Sequence, residues 1–298
     1  MFSSVLIPTD LSPASDRVIA CAARDLASLG TRSMVLLHAL GIRHLVSMAP
    51  ALAASVEQRL AEQASELEKS GLSVEVAIAP GVAHEEILRV ARERRSSLVI
   101  LGSQGQSLLS EMRLGAVTLA TLHNCDVPVL LARVACAESG GGAITCRALG
   151  TRVLHPTDFS DSSERAFAFV RALVEHGIGD VSLLHVQDRN DRSRVEGRDE
   201  RQLAAFDETD RARLERLALD LKQVRAENVR IEVAHGSPIR EILRRAAAAP
   251  EALVVMGTQG RGFIPEVFLG SVSHAVARMA KVPVLLVPGR SPVRPVSS

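Results

Sequence analysis

Tryptophan and tyrosine are absent from the 298 residues, and phenylalanine occurs only seven times. Single-stranded nucleic acid is gripped by stacking bases on aromatic rings, and this chain offers few. No sign of charge is in excess: 35 Lys and Arg balance 34 Asp and Glu, for a net charge of +1. Such a balance leaves no basic footprint for nucleic acid and no strong field toward a membrane. No apolar run approaches the roughly 18 residues that cross a bilayer. The opening Met1-Phe-Ser-Ser-Val-Leu-Ile-Pro-Thr-Asp10 lacks a basic n-region and runs straight into a strand pattern. No signal peptide is therefore expected, and a cytoplasmic location follows. The four cysteines (Cys21, Cys125, Cys136, Cys146) show neither Cys-x-x-Cys nor metal-ligand spacing. Cys21 and Cys125 read as small core residues, Cys136 and Cys146 as free thiols around a flexible stretch, all suited to a reducing compartment.

What is present is organised around Gly257-Thr-Gln-Gly260-Arg-Gly-Phe-Ile-Pro-Glu-Val-Phe-Leu-Gly270-Ser271. It follows the apolar run Ala252–Met256 and precedes a helix-like segment from Val272. Glycines let a backbone turn its N–H groups toward a ligand, and a helix N-terminus adds free N–H groups and a positive dipole end. Ser271 adds a hydroxyl and Arg261 a charge. The combination predicts a cradle for phosphate groups. The same spacing recurs as Gly102, Gly105 and Gly115, again between a strand pattern and a helix pattern.

The repetition extends through the chain. Val5-Leu-Ile-Pro-Thr-Asp10-Leu-Ser12 matches Val153-Leu-His-Pro-Thr-Asp158-Phe-Ser160. Val127-Pro-Val-Leu-Leu131 matches Val282-Pro-Val-Leu-Leu286. This is an internal duplication rather than a short-period solenoid. Within each half, apolar strand runs alternate with amphipathic helix patterns, which predicts an α/β fold of two doubly wound, Rossmann-like parallel-sheet domains. The runs read as buried on both faces. Ser12 and Ser160 are the expected helix N-caps. The boundaries expected are 1–135 for the first domain, 136–149 for a linker whose stretch Ala137–Ala143 reads as flexible, 150–289 for the second domain and 290–298 for a disordered tail. The segment from Gln187 to Arg201, rich in Asp and Arg, reads as a solvated loop that could serve as a lid.

The Pro-Thr-Asp-x-Ser strand end, the Leu-Leu-His strand, the Gly-x2-Gly-x9-Gly-Ser loop and the final Val-Pro-Val-Leu strand together resemble the universal stress protein family in tandem form. The resemblance covers nearly the whole chain. It implies five parallel strands per domain, an adenine nucleotide hydrolase-like fold, and ATP, with or without Mg2+, held by the glycine loop. Carried onto the second half, it assigns Pro156, Thr157 and Asp158 to the nucleoside end, with Val186 and Met256 packing on the base. Gly257, Gly260, Arg261, Gly270, Ser271 and Val272 fall to the ribose and phosphates. The first half keeps Pro8, Thr9, Asp10, Gly102, Gly105 and Gly115. It carries Ala116 for Ser271, Gln106 for Arg261 and Ala39 for Val186. That predicts a weak or empty first site.

No P-loop Gly-Lys-[Ser/Thr], no G-x-G-x-x-G after a first strand and no nucleophile elbow occurs. His155, His185 and His274 lie nearest the predicted site, each expected to be satisfied by local hydrogen bonds. The expectation is a non-enzymatic ATP-binding stress-response regulator. A nucleotide-independent protein-interaction module is the alternative, and a slow ATPase using His274 is weaker. The edge strands Val127–Ala132 and Val282–Val287 are expected to pair across a pseudo-two-fold axis, with further homodimerisation and a regulatory protein partner.

Overall fold

A computed structural model of the chain describes residues 2–27, 29–41, 50–102, 114–134, 146–147, 149–188, 200–260 and 269–289. It divides into two compact units, one ending at Leu149 and the other spanning Gly150–Gly289. In the first, strands β1 (Ser4–Thr9), β2 (Ser33–Leu40), β3 (Ser73–Pro80), β4 (Leu98–Gly102) and β5 (Val129–Val134) alternate with helices α1 (Pro13–Ala27), α2 (Pro50–Glu68), α3 (Ala83–Glu93) and α4 (Ala116–Asn124). The five strands are parallel in the order β3-β2-β1-β4-β5. A two-residue strand β6 (Cys146–Arg147) runs antiparallel to β5.

The second unit repeats the plan. Its elements are β7 (Arg152–Pro156), α5 (Asp161–Glu175), β8 (Asp180–Gln187), α6 (Glu200–Gln223), β9 (Asn228–His235), α7 (Pro238–Ala248), β10 (Ala252–Gly257), α8 (Ser271–Met279) and β11 (Val284–Val287). Its parallel order is β9-β8-β7-β10-β11. Each unit has its own core: Leu6, Leu36, Ile100 and Leu130 are fully buried in the first, Leu253, Val254, Val284 and Leu286 in the second. Strand order reverses at β1/β4 and at β7/β10. In open α/β sheets that reversal opens a crevice at the carboxyl ends of the strands.

The apolar runs and the central strands agree, but the outer strands do not follow the expectation of burial on both faces. β3 and β9, the outermost strands of their orders, keep many side chains open to water. On β9 these include Arg230 and Glu232 on one row, whereas β3 exposes Glu75 on one row and Val76 and Ile78 on the other.

One expectation about the cysteines is corrected. Cys21 is buried, but it is disulfide-bonded rather than a free core thiol. Its partner's side chain is not among those described. The stretch read as flexible, Ala137–Ala143, lies outside the described residues, and the end of the linker holds the short strand β6. β6 pairs with β5 and packs on α1, which carries Cys21, and the Leu149 N–H donates to Asp25 Oδ2 at 3.1 Å. Sequence spacing hid this because the segment returns to a helix more than a hundred positions upstream. Cys125 is free and buried, and burial pushes its thiol up to about 12. Among the described residues no helix is long and apolar enough to cross a membrane.

Candidate functional site

The site in the second unit starts from a turn written by four residues. β7 ends at Pro156, where Thr157 N–H still donates to Leu184 O at 2.8 Å. The chain then reverses through Phe159, which sits in the left-handed region at φ 58°. A non-glycine residue holds such a conformation only where its surroundings dictate it. Here the dictating bonds are local. Thr157 Oγ1 accepts from Phe159 N–H at 3.0 Å, and Asp158 Oδ1 accepts from Ser160 N–H at 3.1 Å and from the Ser160 hydroxyl at 2.6 Å. Ser160 in turn caps α5, accepting from Ser163 N–H.

The first unit repeats the turn with Leu11 at φ 61°. Thr9 Oγ1 accepts from Leu11 N–H at 3.0 Å, and Asp10 Oδ1 from Ser12 N–H at 3.0 Å and Ser15 Oγ at 2.6 Å. Burial would raise the Asp10 carboxyl, but the hydrogen bonds from Ser12 and Ser15 outweigh it and hold the group below its ordinary value. Ser12 caps α1 by accepting from Ser15 N–H at 3.2 Å.

The glycine loop closes on this turn. A Cβ added at Gly260 would lie 2.8 Å from Asp158 Oδ2, so the loop backbone passes directly against the carboxylate. A Cβ at Gly257 would lie 2.3 Å from Ser162 Oγ and 2.8 Å from the Ser162 carbonyl carbon. The Ser162 hydroxyl donates to Gln259 O and fastens the loop to the first turn of α5. Thr258 O accepts from Gly270 N–H and from Ser273 Oγ, each at 2.7 Å, which brings the start of α8 back to the end of β10. Gly270 is the N-cap of α8, and no side chain caps the helix. The N–H groups of its first turn, at Ser271 and Val272, therefore remain available, and Ser271 is exposed.

The expected residues thus fall on one rim. Pro156 and Thr157 are buried at the end of β7, and Asp158 is half-buried beside Gly260. Val186 on β8 and Met256 on β10 flank β7 from opposite sides, half-buried and buried respectively. In the first unit Pro8, Thr9, Asp10, Gly102 and Gly115 hold the matching places. There Gly115 caps α4 without a side-chain bond and Ala116 is exposed. Arg261, Gly105 and Gln106 lie outside the described residues, as do the tail and residues 189–199 of the expected lid, whose ends belong to β8 (Gln187) and α6 (Glu200 and Arg201). Sequence reasoning missed Ser162, Gln259 and Gly289, where a Cβ would lie 2.2 Å from Gln259 Oε1. The available signal was that Ser162 and Gly289 stand where the first half has Ala14 and Val134.

The histidines are engaged. His155 is fully buried, donates Nδ1–H to Val255 O at 2.8 Å, and leaves Nε2 without a partner. Burial pushes it down to about 4. His185 Nδ1–H donates to Thr157 O at 2.7 Å, and His38 does the same to Thr9 O at 2.9 Å. Among the described residues no cluster of His, Cys, Asp or Glu could hold a metal ion.

Comparison with known proteins follows these lines. The model of the Universal stress protein family matches residues 1–133 and 151–288. A universal stress protein from Mycolicibacterium smegmatis is 29% identical over 301 residues, covering 95% of this chain and 96% of that one. Universal stress protein MJ0577 from Methanocaldococcus jannaschii is 28% identical over 156 residues, covering 45% of this chain and 96% of its own. The crystal structure of a universal stress protein from Archaeoglobus fulgidus superposes with a TM-score of 0.69 at 23% identity, over 97% of this chain and all of that one.

Proposed function

The chain belongs to the universal stress protein family, in tandem form, and on that footing we propose that it is an ATP-binding regulatory protein whose second domain holds the nucleotide. The observation that supports this is the convergence of Asp158, the Gly257–Gly260 backbone and the uncapped start of α8 on one rim. Asp158 would take the nucleoside end, since a carboxylate beside phosphates would repel them. Ser271 and the first N–H groups of α8 would take phosphate oxygens. In the first domain Ala116 supplies no hydroxyl at that place. A lost hydrogen bond to a charged group costs about 1.5–3 kcal/mol, or roughly 10- to 100-fold in affinity.

The protein would act by binding rather than turnover. His155 is buried in the sheet and His185 is held by its neighbours, so neither is placed to serve as a catalytic base. A regulatory protein partner and self-association complete the proposal. Ala116 supports a second reading for the first domain alone, that of an interaction surface without nucleotide.

The test is to denature the purified protein and separate the supernatant by anion exchange against nucleotide standards. ATP at about one equivalent per chain is expected. Two equivalents would show that Ala116 does not disable the first site, and ADP or AMP alone would favour slow hydrolysis. If no nucleotide is found and added ATP leaves the melting temperature unchanged, the sensor role fails.

A further inference from the structure

Helix α6 is docked in an unusual way. From Ala205 through Arg213 no side chain is buried, and Leu214, which follows, is. The described contacts of this stretch are largely polar. Asp210 Oδ2 lies 3.3 Å from His185 Nε2 on β8 and accepts from Gln187 Nε2 at 2.9 Å. One turn earlier, Asp207 Oδ2 lies 3.3 Å from His235 Nε2 at the end of β9. Gln187 and His235 are register partners, so the two pairs grip adjacent positions on one rim. Arg213 stacks on the Phe159 ring, with its carbon centre 5.2 Å from the centroid. Phe159 itself packs on His185 at 4.7 Å between centroids.

These contacts reach the candidate site through one atom. His185 donates Nδ1–H to the carbonyl of Thr157, the residue before Asp158. A carbonyl and a carboxylate both only accept hydrogen bonds. A neutral imidazole, with one N–H, satisfies Thr157 or Asp210 but not both; the imidazolium, with two, satisfies both. At His235 the same proton converts a hydrogen bond to the Asp207 carboxylate into an ion pair. The first domain has no such device. Leu214, Ala218 and Leu221 match Leu60, Ala64 and Leu67 on α2, so Asp207 and Asp210 fall at Ala53 and Val56, and His235 falls at Pro80.

We propose that the N-terminal half of α6 is a proton-dependent clamp on the nucleoside end of the second-domain site, closed in acid and released as the histidines lose their second proton. The charged groups presented to the rings come from α6: Asp210, with Arg213 3.7 Å from its other oxygen, and Asp207. The turn between β7 and α5 presents the Thr157 carbonyl and the Phe159 ring, and β8 the neutral Gln187. The effect on nucleotide affinity rests on the function proposed above; the clamp itself does not.

Hydrogen exchange of the full chain separates the two. Protection of the 205–213 amides is measured at pH 6 and pH 8, corrected for the intrinsic rate at each pH, with the β7 amides as internal reference. ATP affinity is measured at the same two values. Protection in the wild type should be roughly tenfold higher at pH 6, the weight of one hydrogen bond to a charged group. The Asp207→Asn/Asp210→Asn variant, nearly isosteric, should show no such difference. Unchanged wild-type protection, or the same change in the variant, overturns the clamp. A pH-dependent clamp in a chain that binds no nucleotide at either pH sustains the clamp and removes the proposed function. ATP binding that ignores pH while protection changes overturns the link between clamp and site.

Discussion

Single residues in the second domain carry consequences that their counterparts in the first do not. His155 occupies the position of Ile7, and both are fully buried. Burial holds the imidazole at about 4 against 6.5 for an exposed ring. Between those values the unfolded chain takes up a proton that the native domain refuses. Stability from this group is therefore full above about pH 6.5 and falls as pH drops toward 4, by about 3 kcal/mol in all. Urea unfolding of His155→Ile at pH 7 and pH 4.5 should show that slope removed; an unchanged slope would place the acid sensitivity elsewhere. The two glycines of the loop should separate in the same way. A Cβ at Gly257 meets Ser162 backbone and must move it, so Gly257→Ala should cost about 1–3 kcal/mol of domain stability. Among the described residues a Cβ at Gly260 meets only the Asp158 carboxylate, so Gly260→Ala should fold normally and lose nucleotide affinity by calorimetry.

At the scale of elements, the sequence carried most of the fold and half of the site. Uninterrupted apolar runs such as Leu98–Leu101 and Ala252–Met256 marked the central strands, and Ser12 and Ser160 announced their helices. The Pro-Thr-Asp-x-Ser turn was legible because its bonds are local and recur in both copies. What the sequence did not disclose depends on distant partners. The disulfide at Cys21, the return of β6 onto β5 and the tie from Ser162 to Gln259 O join positions far apart in the chain. The docking of α6 was hidden for a further reason: no local motif marks Asp207 and Asp210, and only the register of β8 and β9 brings them to histidines. The Ser162 tie is a neutral bond, worth about 1 kcal/mol. Ser162→Ala should therefore weaken ATP binding by roughly fivefold with little change in melting temperature, measured by calorimetry and thermal unfolding. An unchanged affinity would mean that Gly257 and Gly270 hold the loop unaided.

For the molecule as a whole, duplication leaves two scaffolds of the same order, and only the second keeps every expected residue type in its sequence. Each has its own buried core, so a ligand bound to one stabilises that one first. A ligand at about 100 times its Kd adds about 2.7 kcal/mol to the domain that holds it and nothing directly to the other. Exchange protection on adding ATP should therefore rise across 150–289, most of all at the β7–α5 turn and the start of α8. Residues 1–133, where Ala116 and Gln106 replace Ser271 and Arg261, should change little. Equal gains in both halves would show that the backbone cradle of Gly102 and Gly115 suffices without a hydroxyl. A gain confined to the first half would reverse the assignment of the site. Substituting Ala116→Ser then asks whether the lost contact alone silences the first domain. If it does, the second equivalent of ATP appears in the denatured supernatant and protection rises in 1–133 as well. If it does not, the difference lies in the latch, where Ala14 stands for Ser162.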